Sequence, residues 1–189
     1  MLANVLDAKH NVQYKGAMAN VLPLAKRVQI LNLLCEGASM RSISRVVGVS
    51  INTVSKLLVD AGETCLDLHD QLVTHVQAKN VQCDEIWSFC YAKQRNVPTA
   101  KAAPDGAGDV WTWTALDSDS KLIISYLASG RTQGAAIAFM RDVAARISGR
   151  VQLTTDGHTA YPYAVHVAFG KNVDFAQLVK TYAAEAGQG

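Results

Sequence analysis

Three acidic residues stand out because of what surrounds them. Asp84 and Glu85 lie in Cys83-Asp84-Glu85-Ile86-Trp87-Ser88-Phe89, an otherwise apolar and aromatic run. Asp156 follows Val151, Leu153, Thr154 and Thr155 and precedes Gly157. A carboxylate drawn into apolar surroundings must be protonated, paired or metal-bound. Two carboxylates held close repel, which raises at least one pKa unless a cation sits between them. Mg2+ (or Mn2+) suits that position, being a hard ion that takes oxygen ligands from one or two carboxylates, phosphate and water. Two such ions about 4 Å apart can activate an attacking hydroxyl and stabilise the leaving oxygen of a phosphodiester. The plainer readings are solvated strand residues for the Asp84-Glu85 pair and a strand-end turn residue for Asp156.

The elements that must position these acids follow from periodicity. Alternation over 82–91 predicts a strand with Trp87, Phe89 and Tyr91 on one face and Asp84, Ile86 and Ser88 on the other. Neighbours on a strand face opposite ways, so Asp84 and not Glu85 is assigned to the chemistry. Residues 92–109 read as a loop in which Lys93 and Arg95 are either solvated or in contact with nucleic acid. Strands follow at 110–116, with Trp111 and Trp113 expected in the core, and at 121–128, joined by an Asp117–Ser120 turn. A helix is expected over 133–147, with Ile137, Phe139, Met140, Val143 and Ile147 inward, then a strand at 151–155 ending at Asp156. Tyr161-Pro162-Tyr163 begins a short helical stretch, and 173–182 is a fifth strand or another helix. The order β-β-β-α-β-α-β implies a mixed sheet with flanking helices, the ribonuclease-H-like architecture. In such a sheet the first and fourth strands lie side by side, which brings Asp84 to Asp156. His158 is expected as a solvated loop residue or a phosphate contact.

The front of the chain has a different period and charge. Residues 1–62 hold seven Lys/Arg against three Asp/Glu, and 63–189 hold eleven against thirteen. A basic front half suggests a nucleic-acid-binding module. Helical spacing predicts helices over 24–36 (Leu24, Val28, Leu31, Leu34, Cys35), 40–47 (Ile43, Val46, Val47 inward) and 52–60 (Val54, Leu57, Leu58 inward). Ser39 and Ser50 are placed to cap the second and third, and Gly48 supplies the turn between them. This is a helix-turn-helix pattern. Asn52, Thr53, Ser55 and Lys56 point outward for groove and phosphate contacts, and Arg41 and Arg45 sit where backbone contacts fall. The alternative is a three-helix protein-interaction bundle. The third helix should end at Ala61-Gly62, with a helical linker over 63–80. The segments expected are thus an N-terminal all-α domain at 18–62, the linker, and an α/β core at 81–189. Residues 1–17 are a disordered arm, or precede a true start at Met18.

The four cysteines, at 35, 65, 83 and 90, form no C-x-x-C pair and read as free thiols. No apolar run approaches the ~20 residues of a membrane span and no secretory signal is visible, so a cytoplasmic protein is expected.

The chain resembles a transposase of the DDE type, near the insertion-sequence-one group, over roughly 18–182. The resemblance rests on the helix-turn-helix around Met40–Leu58, on Asp84-Glu85-Ile86-Trp87-Ser88, on Val110-Trp111-Thr112-Trp113, and on Thr155-Asp156-Gly157-His158-Thr159-Ala160-Tyr161. It implies a Mg2+-dependent ribonuclease-H-like core that cleaves DNA at element ends and transfers the strand. Asp84 and Asp156 would be its first two catalytic acids and metal ligands. It also implies double-stranded DNA, both element ends and target, as partner, and assembly as a homo-oligomer. Such enzymes carry a third acid, a glutamate on a helix after the last core strand. Only Glu185 follows that strand here, and the role is not assigned to it. The expectation is therefore a C-terminally truncated core, with catalysis lost or very low. The alternative is an inactive DNA-binding protein that competes for element ends.

Overall fold

The computed structural model describes residues 21–179. The expected arm at 1–17, Met18 and Glu185 lie outside the described residues. The chain divides between Leu72 and Val73 into two compact units.

The first unit has three helices: α1 (Leu24–Cys35), α2 (Met40–Val47) and α3 (Ile51–Leu72). Ser39 starts α2 by accepting the Ser42 amide at 3.2 Å, one of the donors that a helix start leaves without a partner. Gly48 ends α2 in the left-handed region, φ 67°, where a side chain would crowd the backbone. Ser50 opens α3 by accepting the Thr53 amide at 3.1 Å. The core is Ile30, Leu31, Ile43, Val47, Val54 and Leu57.

Three expectations for this unit are corrected. Val46 and Leu58 are exposed. On a short helix Ile43 and Val47 share a face at i, i+4, and their chain neighbours point elsewhere. Ile30, fully buried, replaces the exposed Leu24 and Cys35 as an inward residue of α1. Finally, α3 does not stop at Ala61-Gly62. It runs unbroken to Leu72, because Gly62 takes no left-handed conformation. The expected linker therefore splits. Residues 63–72 complete α3, and 73–79 belong to the second unit, where Val76 bridges Ile147 and its amide donates to the Arg146 carbonyl at 2.8 Å.

The second unit is mixed α/β. Its elements are β1 (Asn80–Cys90), a 3-10 turn (Gln94–Thr99), β2 (Gly108–Asp117), β3 (Ile123–Ser129), α4 (Gln133–Arg146), β4 (Val151–Asp156), α5 (Tyr161–Phe169) and β5 (Val173–Leu178). The sheet order is β3-β2-β1-β4-β5. β2 runs antiparallel to both β1 and β3, whereas β1, β4 and β5 are parallel. Of the stretch at 173–182, left open between strand and helix, Val173–Leu178 forms a strand. β3 starts two residues later than expected, because Lys121 has φ 64° and belongs to the turn. Part of the expected 92–109 loop is the 3-10 turn, fixed by Asp109 accepting the Gln94 amide at 2.9 Å.

Alternation sets the layers. Val81, Cys83, Val151, Leu153 and Thr155 are buried, while Gln82, Asp84 and Gln152 are exposed. The buried face packs on α4 and α5 through Phe139, Met140, Val143, Tyr161 and Val165. Trp113 is at its centre, wholly buried, with ring centroids 5.8 Å from Phe139 and 5.6 Å from Tyr161. The opposite face has no helix over it among the described residues, and Ile86 and Leu178 lie exposed there.

Candidate functional site

β1 outruns its parallel neighbour. It pairs with β4 only as far as Cys83↔Thr155, then continues to Cys90 against β2 alone. Asp84 and Glu85 are the first two residues past that end, and Asp156 is the last residue of β4. The chain order thus leaves a notch beside β1, with acids on both sides of it. Outside the carboxyl ends of parallel strands is where open α/β sheets bind ligands. A cleft of about 610 Å³ opens there, lined by Gln82, Cys83, Asp84, Thr154, Thr155, Asp156, Gly157, Leu178 and Val179.

Asp84 and Asp156 do come together, as the sequence predicts. Glu85 comes with them: one carboxylate oxygen from each of the three lies within 4.8 Å of the others. This corrects the exclusion of Glu85. Its side chain does leave the strand on the face opposite Asp84, and only 1% of it is exposed. β4 ends beside it, so its long side chain reaches round to Asp156. Alternation gives the direction of a Cβ and not the place where a three-carbon side chain ends.

The three carboxylates have different surroundings. Asp84 Oδ1 accepts the Glu85 amide at 2.8 Å. Asp156 Oδ1 accepts the His158 amide at 2.9 Å, closing the turn after β4. Gln177 holds that turn by donating to the carbonyls of Asp156 (2.9 Å) and His158 (3.2 Å). Arg131, from the loop before α4, joins the other two acids. Its Nη2 lies 2.8 Å from Glu85 Oε2 and 3.3 Å from Asp156 Oδ2, and its Nε donates to the same Glu85 oxygen at 3.0 Å. The guanidinium lies over the Trp111 ring, 4.7 Å from the centroid, an arrangement that favours a cation. Trp111 is therefore not pure core, as expected, but half-buried support for Arg131.

Behind the acids, polar atoms are left over. Glu85 Oε1, Tyr161 Oη and His158 Nε2 are buried without a hydrogen-bond partner. Burial foremost, then the nearby Glu85 carboxylate, push the Tyr161 phenol far above its usual range; the two groups are neighbours without a well-formed hydrogen bond. His158 is neither a solvated loop residue nor a free phosphate contact. Its Nδ1 accepts the Ala160 amide at 3.1 Å, and its ring lies 5.8 Å from Trp113. Burial, with Glu85 and Asp84 adding to it, pushes the Cys83 thiol up strongly. All four cysteines are free.

Three carboxylate oxygens form a hard donor set that fits Mg2+ or Mn2+. The three oxygens lie within 4.8 Å of one another, so the side chains must draw closer to share a single ion. Arg131 touches two of the three.

The other site residues lie on the first unit. Arg41, Arg45, Asn52 and Lys56 are exposed, and Thr53 and Ser55 half-buried. Lys56 pairs with Asp60 at 2.9 Å across one helical turn. The Thr53 hydroxyl is 2.8 Å from the Ser50 hydroxyl, so it completes the cap of α3. Lys93, beyond β1, lies over the Trp87 ring, 5.1 Å from its centroid. Among the described residues, no helix is long and apolar enough to cross a membrane.

Arg131 and Gln177 escaped the sequence reading, and Glu85 was weighed there and set aside. Glu85 carried a signal, as an acid in an apolar strand, whereas Arg131 and Gln177 carried none. No known protein-family model matches the chain, and no curated protein matches it.

Proposed function

We propose that the chain is a transposase of the Mg2+-dependent class that cleaves DNA strands and transfers them. The observation that carries this reading is the meeting of Asp84 and Asp156, distant in sequence, at the notch where β1 outruns β4. The sheet order, with β2 alone reversed, supports a ribonuclease-H-like core. The Gly48 turn, the Ser39 and Ser50 caps and the exposed cations of α2 and α3 support a helix-turn-helix that binds double-stranded DNA at element ends.

In this reading Asp84 and Asp156 hold Mg2+ (or Mn2+), which when bound supplies positive charge against phosphate oxygens and lowers the pKa of a hydroxyl. The protein's own part is placement. The Gln177 bonds fix the turn that carries Asp156, whose carboxylate accepts the His158 amide, and pairing with β2 fixes the backbone at Asp84. Arg41, Arg45 and Lys56 contact phosphates, while Asn52, Thr53 and Ser55 line the groove-facing side of α3.

The test uses the full chain with duplex DNA carrying candidate element ends. Strand cleavage that needs Mg2+ or Mn2+ and is lost in Asp84→Asn and Asp156→Asn is the expected result. Cleavage unaffected by either change would sink the assignment. Binding should weaken with salt, and each of Arg41→Ala, Arg45→Ala and Lys56→Ala should reduce the slope of log K against log salt by about 0.9 for each phosphate left without its cation. A salt-independent interaction would remove the DNA-binding reading.

A second reading is favoured by Arg131. With Glu85 and Asp156 already bridged by the Arg131 guanidinium, the chain acts as a DNA-binding protein without catalysis, competing for element ends. Salt-dependent binding with no cleavage, identical in wild type and Asp84→Asn, selects it.

A further inference from the structure

We propose that Arg131 is a built-in counter-ion that competes with a divalent cation for Glu85 and Asp156, and that Glu85 is the third carboxylate of the cation site. The inference rests on the metal-dependent reading above and deepens it.

Four observations carry it. The first is how Glu85 is satisfied. It is almost fully buried, so both of its oxygens need partners. Arg131 sends Nε and Nη2 to the same oxygen, Oε2, and leaves Oε1 without a well-formed hydrogen bond, beside the Tyr161 phenol. An arginine fork normally spreads over two carboxylate oxygens, so this pairing is incomplete. The second is the bridge. The same Nη2 reaches Asp156, so one guanidinium holds two acids that would otherwise repel. The third is mobility without cost to the backbone. The Gly130 carbonyl accepts the Trp113 indole N–H at 3.3 Å, and Thr132 caps α4 by accepting the Ala135 amide at 3.2 Å. The chain on both sides of Arg131 is tied down, while 36% of its side chain faces solvent. The side chain can leave while the loop stays. The fourth is the seat on Trp111, which holds the cation at the rim of the acids rather than between all three.

A guanidinium carries one charge and gives Asp84 no contact. A divalent ion carries two and can be reached by all three carboxylates. In the absence of such an ion Arg131 holds Glu85 and Asp156 together. When one enters, the guanidinium gives up Glu85 Oε2 and Asp156 Oδ2.

Terbium luminescence tests this directly, because Trp111 beside the acids can sensitise a bound Tb3+. Wild type, Arg131→Gln, Glu85→Gln and the double variant are titrated with Tb3+, then back-titrated with Mg2+. Removing Arg131 should tighten Tb3+ about tenfold, and removing Glu85 should weaken it about as much. The double variant should lose the gain seen in Arg131→Gln. In chelator Arg131→Gln should melt below wild type, and Mg2+ should raise its melting temperature more than that of wild type. Equal affinities in wild type and Arg131→Gln, with binding in both, overturn the counter-ion while leaving the metal reading standing. Binding unchanged in folded Glu85→Gln overturns Glu85 as ligand. Should Glu85→Gln fail to fold, Arg131→Gln decides alone. No binding in any of the four overturns the metal reading and this inference together.

Discussion

Cys83 and Cys90 belong to one strand and meet opposite surroundings. Cys83 is buried with its thiol pushed up, first by burial and then by Glu85 and Asp84, whereas Cys35, Cys65 and Cys90 are exposed. The thiolate is the reactive form, so a disulfide reagent should titrate the three exposed thiols of the native chain quickly and reach Cys83 only after unfolding. Rapid reaction of all four would show that the core over β1 opens readily. Asp117 gives a pH signature. The Ser120 hydroxyl, against the opposing effect of burial, and then the Asp119 and Ser120 amides and Lys121 hold its pKa below the ordinary carboxylate value. A depressed folded pKa stabilises above the unfolded pKa and loses that contribution as pH falls through the folded value. Melting of wild type and Asp117→Asn should therefore differ more at pH 6 than at pH 3. Asp84 and Asp156 were legible in the sequence because period-2 alternation and a strand-ending glycine are local signals. The role of Arg131 was not, since it depends on a loop brought to the acids by the fold.

Two glycines show how an element can be misread. Gly48 and Gly62 both follow helical runs, and both read as stops. Gly48 has φ 67°, and Ala there should destabilise by about 1–2 kcal/mol. Gly62 lies inside α3 with nothing within 4 Å of an added Cβ, and Ala there should stabilise by about 0.5–1 kcal/mol. Urea unfolding followed by far-ultraviolet dichroism measures both; the same sign for the two would mean that α3 does end near Gly62. The first four strands were legible to within about two residues, since alternation survives where boundaries do not. What blurred them was turn conformation, as at Lys121, which the residue type does not announce. The third helix was cut short because helical glycine and capping glycine are the same letter.

The whole chain carries two cores. One is the small cluster of Ile43 and Val54 with their neighbours, the other the larger cluster about Trp113. Ile43→Ala should cost about 2–5 kcal/mol and Phe139→Ala about 3–5 kcal/mol, each in its own unit. Calorimetry should resolve two transitions and show each change lowering one of them. A single transition moved equally by both would mean that the units unfold together. The change of period from 3.6 to 2, and of charge balance, marked the division in the sequence, although the boundary falls at Leu72 and not at Gly62. The sheet order bears on colloidal behaviour as well. β3 and β5 are its outer strands, and among the described residues no strand pairs with their outer sides. β5 has no proline and no lysine, and the exposed Ala176 and Leu178 stand on its open face. Such a border is a template for any extended backbone, whatever its side chains. Concentrated protein, or a chain caught half-folded, should add strand to strand along β5, where Asp174, paired with Arg150, is the one charge; among the described residues this border lies directly beside the strand that ends in Asp156.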